Sequence, residues 1–371
     1  MSFLPYSRQQ ITQDDIDAVV LALKDEILTG GAKVSEFENA IAKYVGVKHV
    51  IVMNSATSAL HVAYLTLGVA CGDEIITTPI TFAATANAAL MCQADVKFCD
   101  VKTDGNIDES EISKLITSKT KVITAVDFGG NPVEIDKILA TAKANGIRVI
   151  DDASHALGSS QNGVKVGAKA DISIFSFHPV KPLTTFEGGA LATNDDEIAR
   201  LARLYRSHGI TKTTRWDSDM SLLGYNYRLP DVACALGLSQ LKRLDEMIAK
   251  RNEIAKIYDE KFANNPYFQT IKIPSGTTSS RHIYAILLDE KFWSKKGEIF
   301  DALHALNIGV QVHYKPTYWF GFYREKQGEI SLPNAENFYK SELSIPCHQN
   351  MSVSDAEFVA KNLVQILQNF A

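Results

Sequence analysis

Short apolar runs alternate along the chain with longer stretches in which apolar residues recur every three or four positions. From about Lys48 the alternation is regular: HVIVM is followed by SATSALHVAYLTLG, and DEIITTP by TFAATANAALMCQ. Short apolar runs are typical of buried strands, and the longer periodic stretches are typical of helices. Strands that alternate with helices favour a mostly parallel sheet with helices on its faces.

Four further apolar runs extend the predicted sheet to about residue 195. They are VKFCDV, KVITAVDF, IRVIDDAS and ISIFSFH, and the amphipathic segment VEIDKILATAKANG lies between two of them. Two helical patterns precede Lys48, in DDIDAVVLALKDEI and VSEFENAIAKYVG. They predict an N-terminal arm packed onto the sheet domain.

A second domain is predicted after a long helical segment that begins at Pro230 and runs to the end of IAKIYDEKF. Proline is favoured in the first turn of a helix. The strand-like HIYAILLD, a helix around GEIFDALHALN and the strand-like VQVHY follow, and they indicate a small α+β domain. The 371 residues exceed the size at which one core stops growing. We therefore predict a large α/β domain over residues 1–240 and a small domain over 241–371.

Composition and charge narrow the possible partners to small molecules. The formal net charge is -5, and no basic stripe is present that would attract nucleic acid or an anionic membrane. No apolar stretch reaches the roughly 18–20 residues of a membrane span, and no secretory signal pattern is visible, so we expect a cytoplasmic protein. The five cysteines lack a CxxC pair and histidine spacing, which predicts buried thiols and no metal site.

Two turn-rich segments that follow predicted strands could bind a ligand. Residues 54–59 (NSATSA) lie where a strand ends and a helix begins, and the free N–H groups there suit a phosphate. A simple helix cap by Ser55 or Thr57 is the alternative. Residues 151–155 (DDASH) end a strand at the edge where open α/β sheets bind ligands. A protonated ring nitrogen, a metal or solvent could each satisfy these acids.

A third segment, residues 176–190 (SFHPVKPLTTFEGGA), contains the single lysine Lys181 a few positions after an apolar strand. A lone lysine is usually a solvated charge, but desolvation beside a sheet would lower its pKa, as a lysine that condenses with an aldehyde requires. Together the three segments meet the needs of pyridoxal phosphate (PLP). These needs are a phosphate site, an acid for the ring nitrogen, an amine for the aldehyde, and an aromatic face that Phe82 can supply.

The chain resembles the DegT/DnrJ/EryC1/StrS aminotransferases through seven blocks in order: NSATSAL, ITTPITFAATANA, IDDASHALGS, FSFHPVKPLTTFEGGA, LYRSHG, LGYNYRLPDVACALGLSQL and VHYKPTY. The resemblance implies a fold-type I, PLP-dependent transferase that acts on a nucleotide-linked keto-sugar. The match favours members that move an amino group from glutamate to C4 of a UDP-linked 4-keto-6-deoxy-N-acetylhexosamine, in pseudaminic acid synthesis and flagellin glycosylation. The alternative is the epimeric UDP-4-keto-sugar of a bacillosamine-type pathway, or another nucleotide keto-sugar.

The resemblance also implies cofactor roles for individual residues. Lys181 matches the family's Schiff-base lysine and is the expected catalytic residue. Asp152 matches the acid that pairs with the pyridine nitrogen, and His155 lies at the position that approaches the phenolic oxygen. The other expected cofactor contacts are Ala56, Thr57, Phe82, Ser176 and Asn226. Because the family supplies the residue at Asn226 from the neighbouring subunit, a homodimer with shared active sites is implied.

Substrate contacts are expected from the N-terminal arm, the turn before the second helix, the GYNYR loop and the small domain. The candidates are Tyr6, Glu26, Ile27, Leu28, Thr29, Ala56, His178, Arg228, His313, Tyr314, Lys315 and Pro316. Arg228 and Lys315 could offset the diphosphate charge of UDP, or could be ordinary surface ion-pair partners.

Three alternative functions remain open. A dehydrating relative of the same fold would carry histidine in place of Lys181. A catalytically silent binding protein would lose at least one cofactor anchor. A metal-dependent hydrolase would need Asp151, Asp152 and His155 to converge on one ion.

Overall fold

Helices and strands alternate along residues 2–371, the part of the chain that the computed structural model describes. The helices are α1 (Gln13–Ala22), α2 (Ala32–Val45), α3 (Ala56–Thr66), α4 (Ala84–Met91), α5 (Ile112–Leu115), α6 (Ile135–Ala144), α7 (Asp196–Arg206), α8 (Asp231–Leu241), α9 (Leu244–Lys261), α10 (Lys296–Ala305), α11 (Gly321–Gln327), α12 (Pro333–Ser341) and α13 (Val353–Phe370). The strands are β1 (His49–Met53), β2 (Glu74–Thr77), β3 (Asp95–Phe98), β4 (Thr120–Val126), β5 (Arg148–Asp152), β6 (Ser160–Gln161), β7 (Val164–Lys165), β8 (Ile172–Ser176), β9 (Gly189–Thr193), β10 (Ile210–Lys212), β11 (Ser218–Met220), β12 (Phe268–Thr270), β13 (Thr277–Thr278), β14 (Tyr284–Leu288) and β15 (Glu342–Ile345).

Seven strands form the central sheet, in the order β1-β9-β8-β5-β4-β2-β3. Neighbouring strands are parallel from β3 through β2, β4 and β5 to β8, whereas β9 runs antiparallel to both β8 and β1. The predicted large, mostly parallel sheet is therefore confirmed. An antiparallel neighbour needs no helical crossover. The chain can thus return from β8 to β9 through the short loop 177–188, which contains Lys181.

The strands of this sheet are apolar on both faces because helices cover both faces. In β8, Ile174 packs in a cluster with Leu60 of α3, while its neighbour Phe175 packs in another cluster with Phe37 of α2. Both strand residues are fully buried. This burial on two sides explains the continuous apolar runs in the sequence, in which polar residues appear only where the strands end.

A smaller core lies around the antiparallel sheet β12-β14-β15 and helices α9, α10 and α13. Helix α9 joins the two cores: Met247 packs in the cluster of the large sheet and Ile254 in the smaller one. The chain after α9 also returns to the large domain: Tyr318 packs in the core of the large sheet, and Phe338 packs in a further cluster with Phe128. The division of the chain after residue 240 stays a prediction.

Three details differ from the sequence-based expectations. The helical segment after Pro230 is broken into α8 and α9 at residues 242–243, where the Arg243 guanidinium turns to the buried carboxylate of Asp15 at 2.7 Å. The strand-like VQVHY makes a single bridge, from Gln311 to Ser344, and is otherwise irregular. Four of the five cysteines are buried as predicted, but Cys71 is exposed in the turn before β2.

The structure also bears on the expectation that the chain has no membrane span. Among residues 2–371, no helix is both long enough and apolar enough to cross a lipid bilayer.

Candidate active site

A cavity of about 550 Å³ opens at the carboxyl edge of the large sheet, facing the smaller domain. Val126, Asp152 and Ser176, which are the last residues of β4, β5 and β8, all line it. This is the edge at which open α/β sheets bind ligands, because strand ends and helix N-termini meet there. The predicted site residues that line the cavity are Tyr6, Ala56, Thr57, Phe82, Asp152, His155, Ser176, His178, Lys181, His313, Tyr314 and Lys315.

The N-terminus of α3 forms one wall of the cavity. Ser55 caps the helix, and its hydroxyl accepts a hydrogen bond from the Ser58 N–H at 3.1 Å. The N–H groups of Ala56 and Thr57 precede the first intrahelical bond and lie at the positive end of the helix dipole. Gly189 permits this arrangement, because a Cβ on it would lie 2.4 Å from the Ala56 nitrogen. The wall therefore offers free donors and positive potential to an anion.

Asp152 provides the acid of the site. It is 4% exposed, and its carboxylate accepts hydrogen bonds from Thr85 Oγ1 at 2.7 Å and Ser154 Oγ at 2.5 Å. A further hydroxyl, that of Thr81, lies 2.8 Å from Thr85 Oγ1 and supports it. The carboxylate is thus held in one orientation at the end of β5.

Asp151 is directed away from the cavity, as successive side chains in a strand are. It lines a separate small cavity behind the sheet together with Asp127, which is also buried. Burial and the neighbouring charge of Asp152 raise the pKa of Asp151 to about 7. Burial and the charge of Asp151 raise the pKa of Asp127 well above its usual range. Asp151 therefore does not converge with Asp152 and His155, which removes the geometric basis for the metal-dependent hydrolase.

Lys181 is the amine of the site and is held in the loop between β8 and β9. The backbone N–H of Lys181 donates to the His178 carbonyl at 2.9 Å. The carbonyl of the preceding residue, Val180, accepts a hydrogen bond from Ser7 Oγ at 2.7 Å. Burial lowers the pKa of Lys181 to about 7, against the opposing effect of the Asp152 charge. A substantial fraction of the amine is therefore uncharged near neutral pH, as a nucleophile or base requires.

Neutral imidazoles and a phenol line the cavity between the two domains. His155 Nδ1 accepts the Gly129 N–H at 3.3 Å, and His155 Nε2 lies 3.1 Å from the Tyr314 hydroxyl. His313 Nδ1 lies 2.8 Å from Ser344 Oγ. Burial lowers the pKa of His155 well below its usual value and that of His313 to about 3. These side chains therefore act as hydrogen-bonding groups without adding positive charge.

Seven predicted site residues lie outside the cavity lining of this single chain. They are Glu26, Ile27, Leu28, Thr29, Asn226, Arg228 and Pro316. The segment 26–29 is exposed and lies beside the loop that follows Arg228, with the Leu28 carbonyl accepting the Asp231 N–H at 3.0 Å. Asn226 is exposed and Arg228 is half-buried. Pro316 is buried directly after the cavity residue Lys315.

The sequence did not single out three polar residues of the site, Thr85, Ser154 and His282. Thr85 and Ser154 hold the Asp152 carboxylate, and His282 Nε2 lies 3.4 Å from Lys181 Nζ. Ser154 lies within the segment DDASH, which was already a candidate. Thr85 lies four residues after Thr81, a spacing that places two hydroxyl groups close together at the start of a helix. His282 carried only a weak signal, because a single histidine before a strand is common in cores.

Comparison with sequences places the chain among sugar aminotransferases. The sequence model of the DegT/DnrJ/EryC1/StrS aminotransferase family matches residues 9–364. The chain is 59% identical over 368 residues, 98% of each chain, to a UDP-4-amino-4,6-dideoxy-N-acetyl-beta-L-altrosamine transaminase of Campylobacter jejuni. A protein of the same name from Helicobacter pylori is 41% identical over 372 residues, 100% of this chain and 99% of the relative.

Comparison with solved structures also finds aminotransferases. PseC of Helicobacter pylori, described as an aminotransferase of pseudaminic acid biosynthesis, superimposes with a TM-score of 0.97 at 40% identity, covering 99% of this chain and 100% of its own. A sugar aminotransferase of Streptococcus pneumoniae in its PLP form superimposes with a TM-score of 0.94 at 27% identity, covering all of both chains. The fold type predicted from the sequence is confirmed by these matches.

Proposed function

Because this chain belongs to the DegT/DnrJ/EryC1/StrS aminotransferase family, we propose that it aminates a nucleotide-linked keto-sugar at the carboxyl edge of its large sheet. The amino group comes from L-glutamate and goes to C4 of UDP-2-acetamido-2,6-dideoxy-beta-L-arabino-hex-4-ulose. The product is UDP-4-amino-4,6-dideoxy-N-acetyl-beta-L-altrosamine, for pseudaminic acid synthesis. Support for this sugar comes from the 59% identity to the Campylobacter jejuni transaminase over nearly the whole of both chains.

One observation carries the proposal: an amine of lowered pKa, a fixed carboxylate and a free helix N-terminus share one cavity. Lys181, Asp152 and Ala56 all line it. Their chemistry fits PLP, whose aldehyde, ring nitrogen and phosphate need an amine, an acid and an anion site. The close packing of Gly189 against the start of α3 leaves the helix N–H groups accessible, as a phosphate site requires.

We assign the remaining contacts on the same basis. Thr57 and Ser176 would bind the phosphate together with the α3 N–H groups, and Phe82 would supply an aromatic face for the ring. When bound, the cofactor supplies an electron sink for the carbanion that forms when a proton leaves carbon. Asp152 keeps the ring nitrogen protonated, because a buried carboxylate favours a cation beside it.

The proton steps belong to Lys181. In the first half-reaction, its Nζ would take the proton from the α carbon of glutamate and pass it to the carbon of the cofactor that carries the amino group. In the second half-reaction, the same Nζ would take that carbon's proton back and give it to C4 of the sugar. A pKa of about 7 suits both directions, because neither the acid nor the base form is scarce near neutral pH.

The site is completed by a second copy of the chain in this proposal. Asn226 reaches the cofactor phosphate of the partner, and Arg228 offsets the diphosphate charge of UDP together with Lys315 of the cavity. Large apolar side chains are exposed on the same chain: Ile27 is 58% exposed, Leu223 is 73% exposed, and Trp216, between β10 and β11, is 87% exposed. A dimer that covers them gains the free energy of apolar burial. The cytoplasmic location and the link to flagellin glycosylation stay predictions.

The test is to offer the purified enzyme each of the two epimeric UDP-4-keto-6-deoxy-N-acetylhexosamines with glutamate. We expect amination of the beta-L-arabino compound, with 2-oxoglutarate released in equal amount and the product identified by NMR. Preferential amination of the other epimer would assign the enzyme to a bacillosamine-type pathway. Absence of amination with both compounds would contradict the proposed substrate class.

A further inference from the structure

His282 comes from the smaller domain, yet it reaches the amine at the centre of the site. Its Nε2 lies 3.4 Å from Lys181 Nζ, although the two residues are 101 positions apart in the chain. The imidazole is 2% exposed and packs against His155, with ring centroids 4.5 Å apart. Its place is therefore fixed by packing as well as by the contact with Lys181.

The backbone on both sides of His282 is bound to the large domain. The Ser280 hydroxyl donates to the His155 carbonyl at 2.6 Å, and the Ile283 N–H donates to the Gly129 carbonyl at 3.2 Å. On the other side, the buried guanidinium of Arg251 donates to the Arg281 carbonyl at 3.2 Å. These contacts hold the backbone on both sides of His282, and the His155 ring packs against the imidazole, so the side chain has a defined place beside Lys181.

The surroundings keep His282 uncharged. Burial and the positive charge of Lys181, followed by the effects of His155, Arg251 and His313, lower the pKa of His282 well below its usual value. An uncharged imidazole has one nitrogen free to accept a hydrogen bond. In the tautomer that carries its proton on Nδ1, Nε2 is the acceptor, and it lies 3.4 Å from the amine.

The other ring nitrogen, Nδ1, helps to distinguish two roles for His282: a residue that positions the amine, and a residue that relays its proton. His282 Nδ1 is buried and has no hydrogen-bond partner among the described residues 2–371. A histidine that relays protons needs a partner at each nitrogen, because the proton taken up at one must leave from the other. No side chain or backbone group among residues 2–371 bonds Nδ1, so the contact with Lys181 is the one hydrogen bond that this ring makes to the protein there.

We infer that His282 is a positioning residue for Lys181, and that its Nε2 accepts a hydrogen bond from the amine whenever that amine is not bonded to the cofactor. The contact holds Nζ beside the reaction centre, where it must stay to move protons and later to recover the cofactor. This inference rests on the proposed function, since it assigns His282 to the lysine that binds PLP. The gain is one of orientation, in which a small displacement has a large effect on rate.

The test uses the full-length chain freed of cofactor, and two phosphorylated ligands. PLP bonds to Lys181 with loss of water and develops visible absorbance, whereas pyridoxamine phosphate binds the same pocket without that bond. We expect His282→Phe to form the bond about tenfold more slowly. Its dissociation constant for pyridoxamine phosphate should stay within about twofold of the wild-type value, since the phosphate and ring contacts remain.

Two further variants complete the experiment. His282→Gln places an amide near the position of Nε2 and should recover the rate of bond formation to within about threefold of the wild type. His304→Gln, a half-buried histidine of α10 that does not line the cavity, should change neither measurement.

Each outcome decides the question. A wild-type rate in His282→Phe would overturn the positioning role. An equal loss for both ligands would show that His282 maintains the pocket and does not act on Lys181. If the wild-type chain itself develops no visible absorbance with PLP, the proposed function is wrong. That result is distinct from a wild-type rate in His282→Phe, which contradicts only the role of His282.

Discussion

At the scale of single residues, the function depends on how burial changes Lys181. The same side chain in solvent would be protonated at neutral pH, with a pKa near 10.5, and would be neither nucleophile nor base. Burial at the end of the large sheet lowers its pKa to about 7, while the Asp152 charge opposes the change. The environment that sequence reasoning proposed for this lysine is the one in which the structure places it.

Replacement of Lys181 tests its role directly. Lys181→Ala should lose both the visible absorbance of the bound cofactor and all measurable amino transfer, because no other amine lines the cavity at the same position. Lys181→Arg should fail equally, since its guanidinium stays protonated. The exposed Lys256→Ala serves as the control and should match the wild type. Retention of absorbance and turnover in Lys181→Ala would refute the assignment.

The lowered pKa of Lys181 also predicts how cofactor capture depends on pH. Only the uncharged amine attacks an aldehyde, so the rate should rise with pH up to about 7 and level off above it. At pH 6 we expect about one tenth of the plateau rate, one unit below the pKa. Stopped-flow absorbance of the cofactor-free chain with PLP measures this. A rate that levels off only above pH 9 would indicate an ordinary solvated lysine.

Asp152 should be needed for chemistry and not for folding. In Asp152→Asn the amide keeps one oxygen for the Thr85 or Ser154 hydroxyl, but it cannot hold a proton on the ring nitrogen. Amino transfer should therefore fall by about 10²-fold or more, with little change in thermal unfolding. Asp151→Asn is the matched control, because that side chain lies on the other face of β5, and its activity should stay within a few-fold. Equal losses in both variants would contradict the distinction.

At the scale of secondary structure elements, the phosphate site depends on how closely β9 approaches α3. Gly189 starts β9 and pairs with Met53, the last residue of β1, so its backbone passes the first turn of the helix. The approach leaves no room for a side chain. Gly189 is thus a packing requirement between β9 and α3.

Gly189→Ala should damage cofactor binding. Its Cβ would meet the Ala56 nitrogen at 2.4 Å and must displace the start of α3. We expect the affinity for PLP to fall at least about tenfold and the free energy of unfolding to fall by about 1–3 kcal/mol. Gly297→Ala is the control, since nothing lies within 4 Å of its Cβ, and alanine in helix α10 should stabilise by up to about 1 kcal/mol. Titration with PLP and thermal unfolding measure both effects, and unchanged PLP affinity in Gly189→Ala would contradict this account.

At the scale of the whole molecule, one chain supplies the cofactor anchor but not every expected contact. Lys181, Asp152 and the start of α3 line one cavity, whereas Asn226 and Arg228 lie outside it. The smaller domain adds His313, Tyr314 and Lys315 from the opposite side. The proposed dimer brings the missing residues from the second chain.

Hybrid dimers test this arrangement. Lys181→Ala and Arg228→Ala should each be nearly inactive alone, because one lacks the amine and the other the diphosphate contact. If sites are shared, a hybrid carries one site with both defects and one intact site. Co-expression in equal amounts should then restore about one quarter of wild-type activity, since half of the dimers are hybrids with one good site of two. Activity no higher than that of the single variants would show that Arg228 serves its own chain.

Much of the fold and the centre of the site could be predicted from the sequence. The order of strands and helices follows from local periodicity, and the segments containing Thr57, Asp152 and Lys181 stand at strand ends, where parallel strands deliver them to one edge. The strand pattern also separates Asp151 from Asp152 once β5 is identified. These are short-range properties of a chain, fixed within a few residues.

The remaining features of the site depend on contacts between segments that are distant in the sequence. His282 reaches Lys181, Tyr318 returns to the large core, and the segment VQVHY lines the cavity while it makes a single bridge to β15. No local pattern predicts such contacts, because their free energy comes from burial and hydrogen bonds formed only after two domains meet. Local sequence was enough to predict the helices, the strands and the chemistry at their ends. The packing of the two domains decided which side chains surround the lysine.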